Sequence, residues 1–105
     1  PRRIPHSTAK GGLRTLTKSL AASLGPYGIT VNDIVPVHAA TIRDLTTHPQ
    51  YGEPGYAERR IKEVPIGRMI APEELAWAAA FLCAQRSAAI NGIALHVDGG
   101  TYMYG

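Results

Sequence analysis

The sequence predicts an α/β fold with parallel strands. Two observations carry this: segments of helical period alternate with short runs of β-branched and aliphatic residues, and the order is helix, strand, long loop with a short helix, helix, strand. A helix that passes through a Gly/Pro turn into a mostly apolar strand is the αβ half of a βαβ unit, whose strands run parallel and are covered on both faces.

The first helix is expected over residues 7–24, where Leu13, Leu16, Leu20, Ala21 and Leu24 keep to one face of a 3.6-residue period. Ser7 or Thr8 is expected to cap its start, Gly25 to take the left-handed turn at its end, and Pro26 to stop it. Residues 29–35, bounded by Tyr27-Gly28 and Pro36, read as a strand. The stretch 37–70 is interrupted by Pro49, Gly52, Pro54, Gly55, Pro65 and Gly67, with a short helical pattern over 56–64. A loop of this length is usually a lid or a binding loop. Ala71-Pro72-Glu73-Glu74 opens the next helix, with proline in its first turn and carboxylates at the positive end of its dipole, and the pattern runs to Ala84 or Gln85. Residues 75–83 are apolar on every side, which predicts burial against more than one layer or against another subunit. Asn91-Gly92 then turns the chain into a second strand over 93–97, closed by Asp98-Gly99-Gly100.

At 105 residues, 45% hydrophobic and 18% charged, the composition is that of one soluble globular domain. The net charge of +3 is spread along the chain. Its densest cluster, Arg59-Arg60-x-Lys62, is flanked by Glu58 and Glu63 and reads as a solvated helix face, so nucleic acid is not an expected partner. Cys83 is the single cysteine, which excludes an intrachain disulfide; inside its apolar run it is expected to be a buried, inert thiol in a cytoplasmic protein. No apolar run approaches the roughly 18–20 residues of a membrane span. His38, His48 and His96 lack zinc-site spacing, so no metal is expected, and no Gly-x-Ser-x-Gly elbow anchors nucleophilic hydrolysis. The chain opens on Pro1 instead of Met, as expected of a cut or processed end or of a chain whose beginning was not recorded.

Several local sequences fall in a telling order: residues 6–12 (His-Ser-Thr-Ala-Lys-Gly-Gly), 25–32 (Gly-Pro-Tyr-Gly-Ile-Thr-Val-Asn), 36–41, Pro65-Ile66-Gly67-Arg68, Pro72-Glu73-Glu74-Leu75 and Asp98-Gly99-Gly100. Together they resemble the short-chain dehydrogenase/reductase family from its active-site helix to near its C-terminus. The resemblance implies that residues 1–105 form the C-terminal part of a Rossmann-like, doubly wound domain, with residues 37–70 as the substrate-loop region. It implies hydride transfer between NAD(H) or NADP(H) and a small carbonyl or alcohol substrate. In the family, Tyr-x-x-x-Lys places a phenol and an ammonium on one helix face, and the lysine also bonds the nicotinamide ribose. Here Lys10 matches the lysine, while His6 stands at the tyrosine position. The family's Pro-Gly and following Thr, which bracket the nicotinamide, correspond to Pro36, Val37 and Thr41.

Val37 puts a β-branched side chain where glycine would allow close approach. The Gly-rich nucleotide turn and the upstream active-site serine have no counterpart in these residues. Independent catalysis by the chain alone is therefore not expected. One alternative is a non-catalytic oligomerising or interaction module derived from the family, and another is a cofactor-independent acid/base reaction at His6. The family's dimers and tetramers form through the active-site helix and the C-terminal helix and strand. Expected partners are accordingly a second copy of the chain or a complementary N-terminal half.

Overall fold

The computed structural model describes residues 4–37 and 52–102. Helix α1 spans Ile4–Leu24, strand β1 Asp33–Pro36, helix α2 Tyr56–Lys62, helix α3 Pro72–Cys83 and strand β2 Ala94–Val97. The two strands pair in parallel in one two-stranded sheet, so the fold class is α/β as the element order predicts. The chain divides into two compact units, residues 1–33 with 80–95 and residues 34–79 with 96–105.

In the first unit, α1 is already helical at Ile4, which places Ser7 and Thr8 inside the helix and not at its cap. The predicted stop is displaced too. Gly25–Tyr27 form a tight 3₁₀ turn with Pro26 in its opening positions, where a missing N–H costs nothing. Gly28, at φ 74°, is the left-handed residue, and its N–H donates to the Gly25 carbonyl at 2.9 Å. Helix α1 buries Thr17 and Ala21 and leaves Leu13, Leu16 and Leu20 exposed. Its small side chains face inward because the chain at Gly92 comes so close that a Cβ there would lie 3.3 Å from Ala21 Cβ.

Strand β1 is shorter than the predicted 29–35, and two asparagines explain why. Before the strands begin to pair, side-chain amides join the two segments. The Val31 N–H donates to Asn91 Oδ1 at 2.9 Å, while Asn32 Nδ2 donates to the Ile90 carbonyl at 3.0 Å and Asn32 Oδ1 accepts from the Ile93 N–H at 3.2 Å. Backbone bonds from Gly92 N to Val31 O (2.8 Å) and from Asp33 N to Ile93 O (2.9 Å) lie between these amide bonds. Asn91 Nδ2 also donates to the Ala21 carbonyl at 3.0 Å, which ties in the last part of α1. Asparagine amides supply a donor and an acceptor on one short side chain, so each can stand in for a peptide unit.

In the second unit, Tyr56, Val64 and Ile70 are buried, Val64 and Ile70 at 2% exposure. Val64 packs at the turn after β2. Gly99 holds φ 59°, and a Cβ on it would meet Val64 Cγ1 at 2.6 Å and Ile66 Cγ1 at 2.8 Å. Only glycine fits there. The Ile66 N–H donates to the Gly99 carbonyl at 3.2 Å, fixing the 63–67 turn against the end of β2. Asp98, 6% exposed, organises the same turn by accepting from the N–H groups of Gly100 (3.0 Å) and Tyr102 (3.1 Å), with His96 Nδ1 at 3.3 Å. Burial alone would raise its pKa, but these hydrogen bonds favour the carboxylate and the net displacement is downward.

Glu74 fixes the start of α3. Its carboxylate accepts two bonds from the Arg68 guanidinium (2.7 and 2.8 Å) and one from the Ala71 N–H (2.8 Å), satisfying an amide that the helix itself leaves unpaired. The Arg68 fork, aided by the Ala71 N–H, pulls the carboxyl from its ordinary 4.5 to about 2.

Of the residues of α3 only Leu82 is buried, while Trp77 is 75% and Phe81 54% exposed, so the described residues leave most of its apolar surface uncovered. One expectation for α3 is corrected. Cys83, in the last turn, is exposed and not a buried thiol. An apolar run along the sequence distributes its side chains around the helix, so it does not by itself bury any one of them.

Two outcomes are expected. Gly99→Ala forces both a strained backbone and an overpacked contact, and should lower the unfolding free energy by about 1–3 kcal/mol in chemical denaturation; an unchanged midpoint would show that Val64 and Ile66 do not pack there. Because the folded pKa of Glu74 is depressed, the stabilisation from its contacts is full above pH 4.5 and is lost as pH falls toward 2. The Glu74 carboxyl resonance should accordingly titrate near pH 2 and move toward 4.5 in Arg68→Ala, whereas a wild-type midpoint at 4.5 would mean the fork is not formed.

Candidate active site

Helix α1 carries the first pair of candidate residues. His6 and Lys10 lie four positions apart near its start, so one helical turn stacks them on the same face, and both are exposed. An exposed imidazole can donate or accept a proton, and an ammonium one turn away can hydrogen-bond an oxygen-rich ligand or stabilise developing negative charge. The pair therefore offers acid/base and anion-orienting chemistry from a rigid element.

Pro36 and Val37 belong to the second unit. Pro36 is the last residue of β1 and is exposed; Val37 follows it outside the strand and is half-buried. Thr41 lies outside the described residues, as do His38, His48 and residues 38–51 of the predicted substrate-loop region. The described remainder of that region holds α2 and the 63–67 turn. Arg60 is bound there by Tyr56, donating from Nε to the Tyr56 hydroxyl at 3.0 Å with its guanidinium 5.2 Å from the ring centroid, and by Glu63 at 2.8 Å. These contacts raise its pKa, the Tyr56 bond most and the Glu63 bond next.

A dinucleotide needs a cradle for its pyrophosphate, formed where a strand turns through glycines into a helix N-terminus. Six described glycines have positive φ: Gly28, Gly55, Gly67, Gly92, Gly99 and Gly100. None of them joins a strand directly to a helix: Gly28 follows a helical turn, Gly55 caps α2 from a loop, Gly67 and Gly92 sit in turns, and Gly99-Gly100 follow β2 with no helix after them among the described residues. The described residues thus hold Lys10 on an open helix face but no cradle of the kind a pyrophosphate needs. No group of His, Cys, Asp and Glu among them is arranged to hold a metal ion, and no helix of the described residues is long and apolar enough to cross a membrane.

The hydrogen bonds made by the asparagine pair and by the Asp98 carboxylate went unrecognised in the sequence, although both turns were marked. Asn32 had a signal, because asparagine is depleted in strand interiors and has to be explained when it sits in one. Asn91 had been assigned only a turn, although an Asn-Gly turn can also direct its amide across to a neighbouring segment.

Comparison with known proteins places this arrangement. Residues 1–102 match the family model described as enoyl-(acyl carrier protein) reductase. Glucose 1-dehydrogenase 2 of Bacillus subtilis is 34% identical over 104 residues, covering 99% of this chain and 39% of that protein. The inactive 2-(S)-hydroxypropyl-CoM dehydrogenase 2 of Xanthobacter autotrophicus is 36% identical, covering 95% of this chain and 44% of that protein. The crystal structure of 3-ketoacyl-(acyl-carrier-protein) reductase from Brucella melitensis, complexed with NADH, superposes with a TM-score of 0.73 at 38% identity, covering 90% of this chain and 35% of that one. The chain thus spans less than half the length of these relatives. Its α/β order, its parallel strand pair and these matches together make it a member of the short-chain dehydrogenase/reductase family of oxidoreductases.

Proposed function

We propose that this chain is the C-terminal half of a short-chain oxidoreductase that exchanges hydride between NAD(H) or NADP(H) and a small carbonyl or alcohol, and that it is inactive alone. The observation that carries the reading is the exposed His6–Lys10 pair, one turn apart on α1 of a chain in this family. In a completed site, a bound nicotinamide would supply or accept the hydride. Lys10 would hold the ribose hydroxyls and orient the substrate oxygen, and His6 would give or take the proton at that oxygen. Pro36, Val37 and Thr41 would lie along the nicotinamide, with Val37 narrowing the approach that a glycine would leave open. The lack of a phosphate cradle among the described residues supports inactivity, as does the existence of a relative named inactive. Substrate choice would rest with residues 37–70, and the cytoplasm, where the cofactors are plentiful, is the proposed location.

A second reading, a non-catalytic oligomerising module, is favoured by the exposure of Leu13, Leu16 and Leu20 on α1 and of Trp77 and Phe81 on α3. In either case the proposed partner is another copy of this chain or a complementary N-terminal half.

Titration with NADH and NADPH, followed through Trp77 emission, should show no saturable binding at micromolar cofactor for the chain alone. Saturation would overturn its inactivity. With a complementary nucleotide-binding half supplied, hydride transfer should appear; His6→Ala should reduce it by about 10²-fold or more, the usual contribution of a general acid. Activity insensitive to that change would remove His6 from the mechanism, and no activity with any complement would favour the module.

A further inference from the structure

The asparagine contacts that join the two segments of the first unit also contain a reactive dipeptide. Asn91-Gly92 is the single Asn-Gly step in the sequence, and Asn32, the only other asparagine, precedes Asp33. Glycine after asparagine leaves the following amide nitrogen unhindered, so it can reach the side-chain carbonyl carbon. The fold requires both residues. Gly92 sits at φ 76° with Ala21 at 3.3 Å from any added Cβ, and Asn91 supplies one acceptor to Val31 N–H and one donor to the Ala21 carbonyl. Neither can be exchanged for a safer residue without losing the turn or the contacts, and Asn91 is exposed to water.

We propose that Asn91 is a deamidation site which the fold holds closed, and whose conversion permanently loosens the first unit. The Gly92 backbone nitrogen, after losing its proton, attacks Asn91 Cγ. The N–Cγ bond forms, the Cγ–Nδ2 bond breaks, and ammonia leaves with a proton. Water then opens the succinimide at either carbonyl to give aspartate or isoaspartate, so the balance is one water consumed and one ammonia released. In the folded chain both participants are engaged: the Gly92 N–H donates to the Val31 carbonyl at 2.8 Å, and both atoms of the Asn91 amide are hydrogen-bonded. Reaction therefore requires local opening, and its rate measures that opening.

The product cannot close again in the same way. An aspartate at 91 still accepts from Val31 N–H but has no donor for the Ala21 carbonyl, and it sets a negative charge against that oxygen. An isoaspartate lengthens the backbone by one carbon within the turn. Either product separates the end of α1 from the segment 90–93 that leads into β2. The reaction needs neither a cofactor nor an enzyme.

The test is timed incubation of the intact chain at mildly alkaline pH, in buffer and in concentrated urea, with peptide mass spectrometry of residues 87–97 and of a peptide containing Asn32. Conversion at Asn91 is expected in urea and slower in buffer by about tenfold or more, corresponding to about 1.4 kcal/mol or more of opening free energy. Asn32 serves as the internal reference and should convert far less in either condition. Asn32→Ala, which removes the contacts to Ile90 and Ile93 but keeps those of Asn91, should speed conversion in buffer several-fold. Asn91→Asp, which supplies the product directly, should show faster amide exchange at Val31 and Gly92 than the parent chain. Equal rates in buffer and urea would overturn the gating, absence of conversion in urea would overturn the site, and unchanged exchange in Asn91→Asp would overturn the loosening.

Discussion

Two four-residue strands cannot hold a unit together by their own ladder, and the amide contacts of Asn32 and Asn91 are what the first unit depends on. A parallel pair needs its register set before the ladder begins, because a slip of one residue would turn every side chain to the opposite face. The two asparagines set it by bonding across just ahead of the strands, and Asn91 extends the connection to the carbonyl of Ala21 in α1. The sheet start and the helix end are therefore positioned by one group of hydrogen bonds. The His6–Lys10 face at the other end of α1 inherits its setting from there, since a helix of 21 residues is stiff.

The second unit is organised by steric fit instead. Gly99 admits Val64 and Ile66 because it has no side chain, and Asp98 holds the turn that presents it. The 63–67 turn is thereby fixed against the end of β2. A glycine and a buried carboxylate side by side accomplish this at the end of β2, where a longer apolar contact would be blocked by the turn.

The element order was legible because periodicity is a property of many residues at once. The helices at 4–24, 56–62 and 72–83 and the strands at 33–36 and 94–97 each fall within a few residues of their expected places. Their boundaries were less legible. Ser7 looked like a cap but helix-compatible residues precede it, and Gly25 looked like the left-handed stop although Pro26 favoured one more turn and moved that role to Gly28. Burial was the least legible quantity, since residues 75–83 have the composition of a core while the described residues leave Trp77 and Phe81 in solvent. Composition reports what a surface prefers, not whether a neighbour exists to meet it. Of the candidate site, the spacing of His6 and Lys10 was readable because a helix converts sequence distance into geometry. The relation of either to Pro36, Val37 and Thr41 depends on tertiary placement, which no local pattern encodes.

The bare face of α3 also has a consequence for the chain inside a cell. Quality-control machinery sorts proteins by the apolar surface they display, and it does not wait for complete unfolding. With the Trp77 indole and the Phe81 phenyl ring largely open to solvent among the described residues, α3 would display such a signal wherever nothing else covers it. A folded chain left with that face bare would be triaged as if it were partly unfolded.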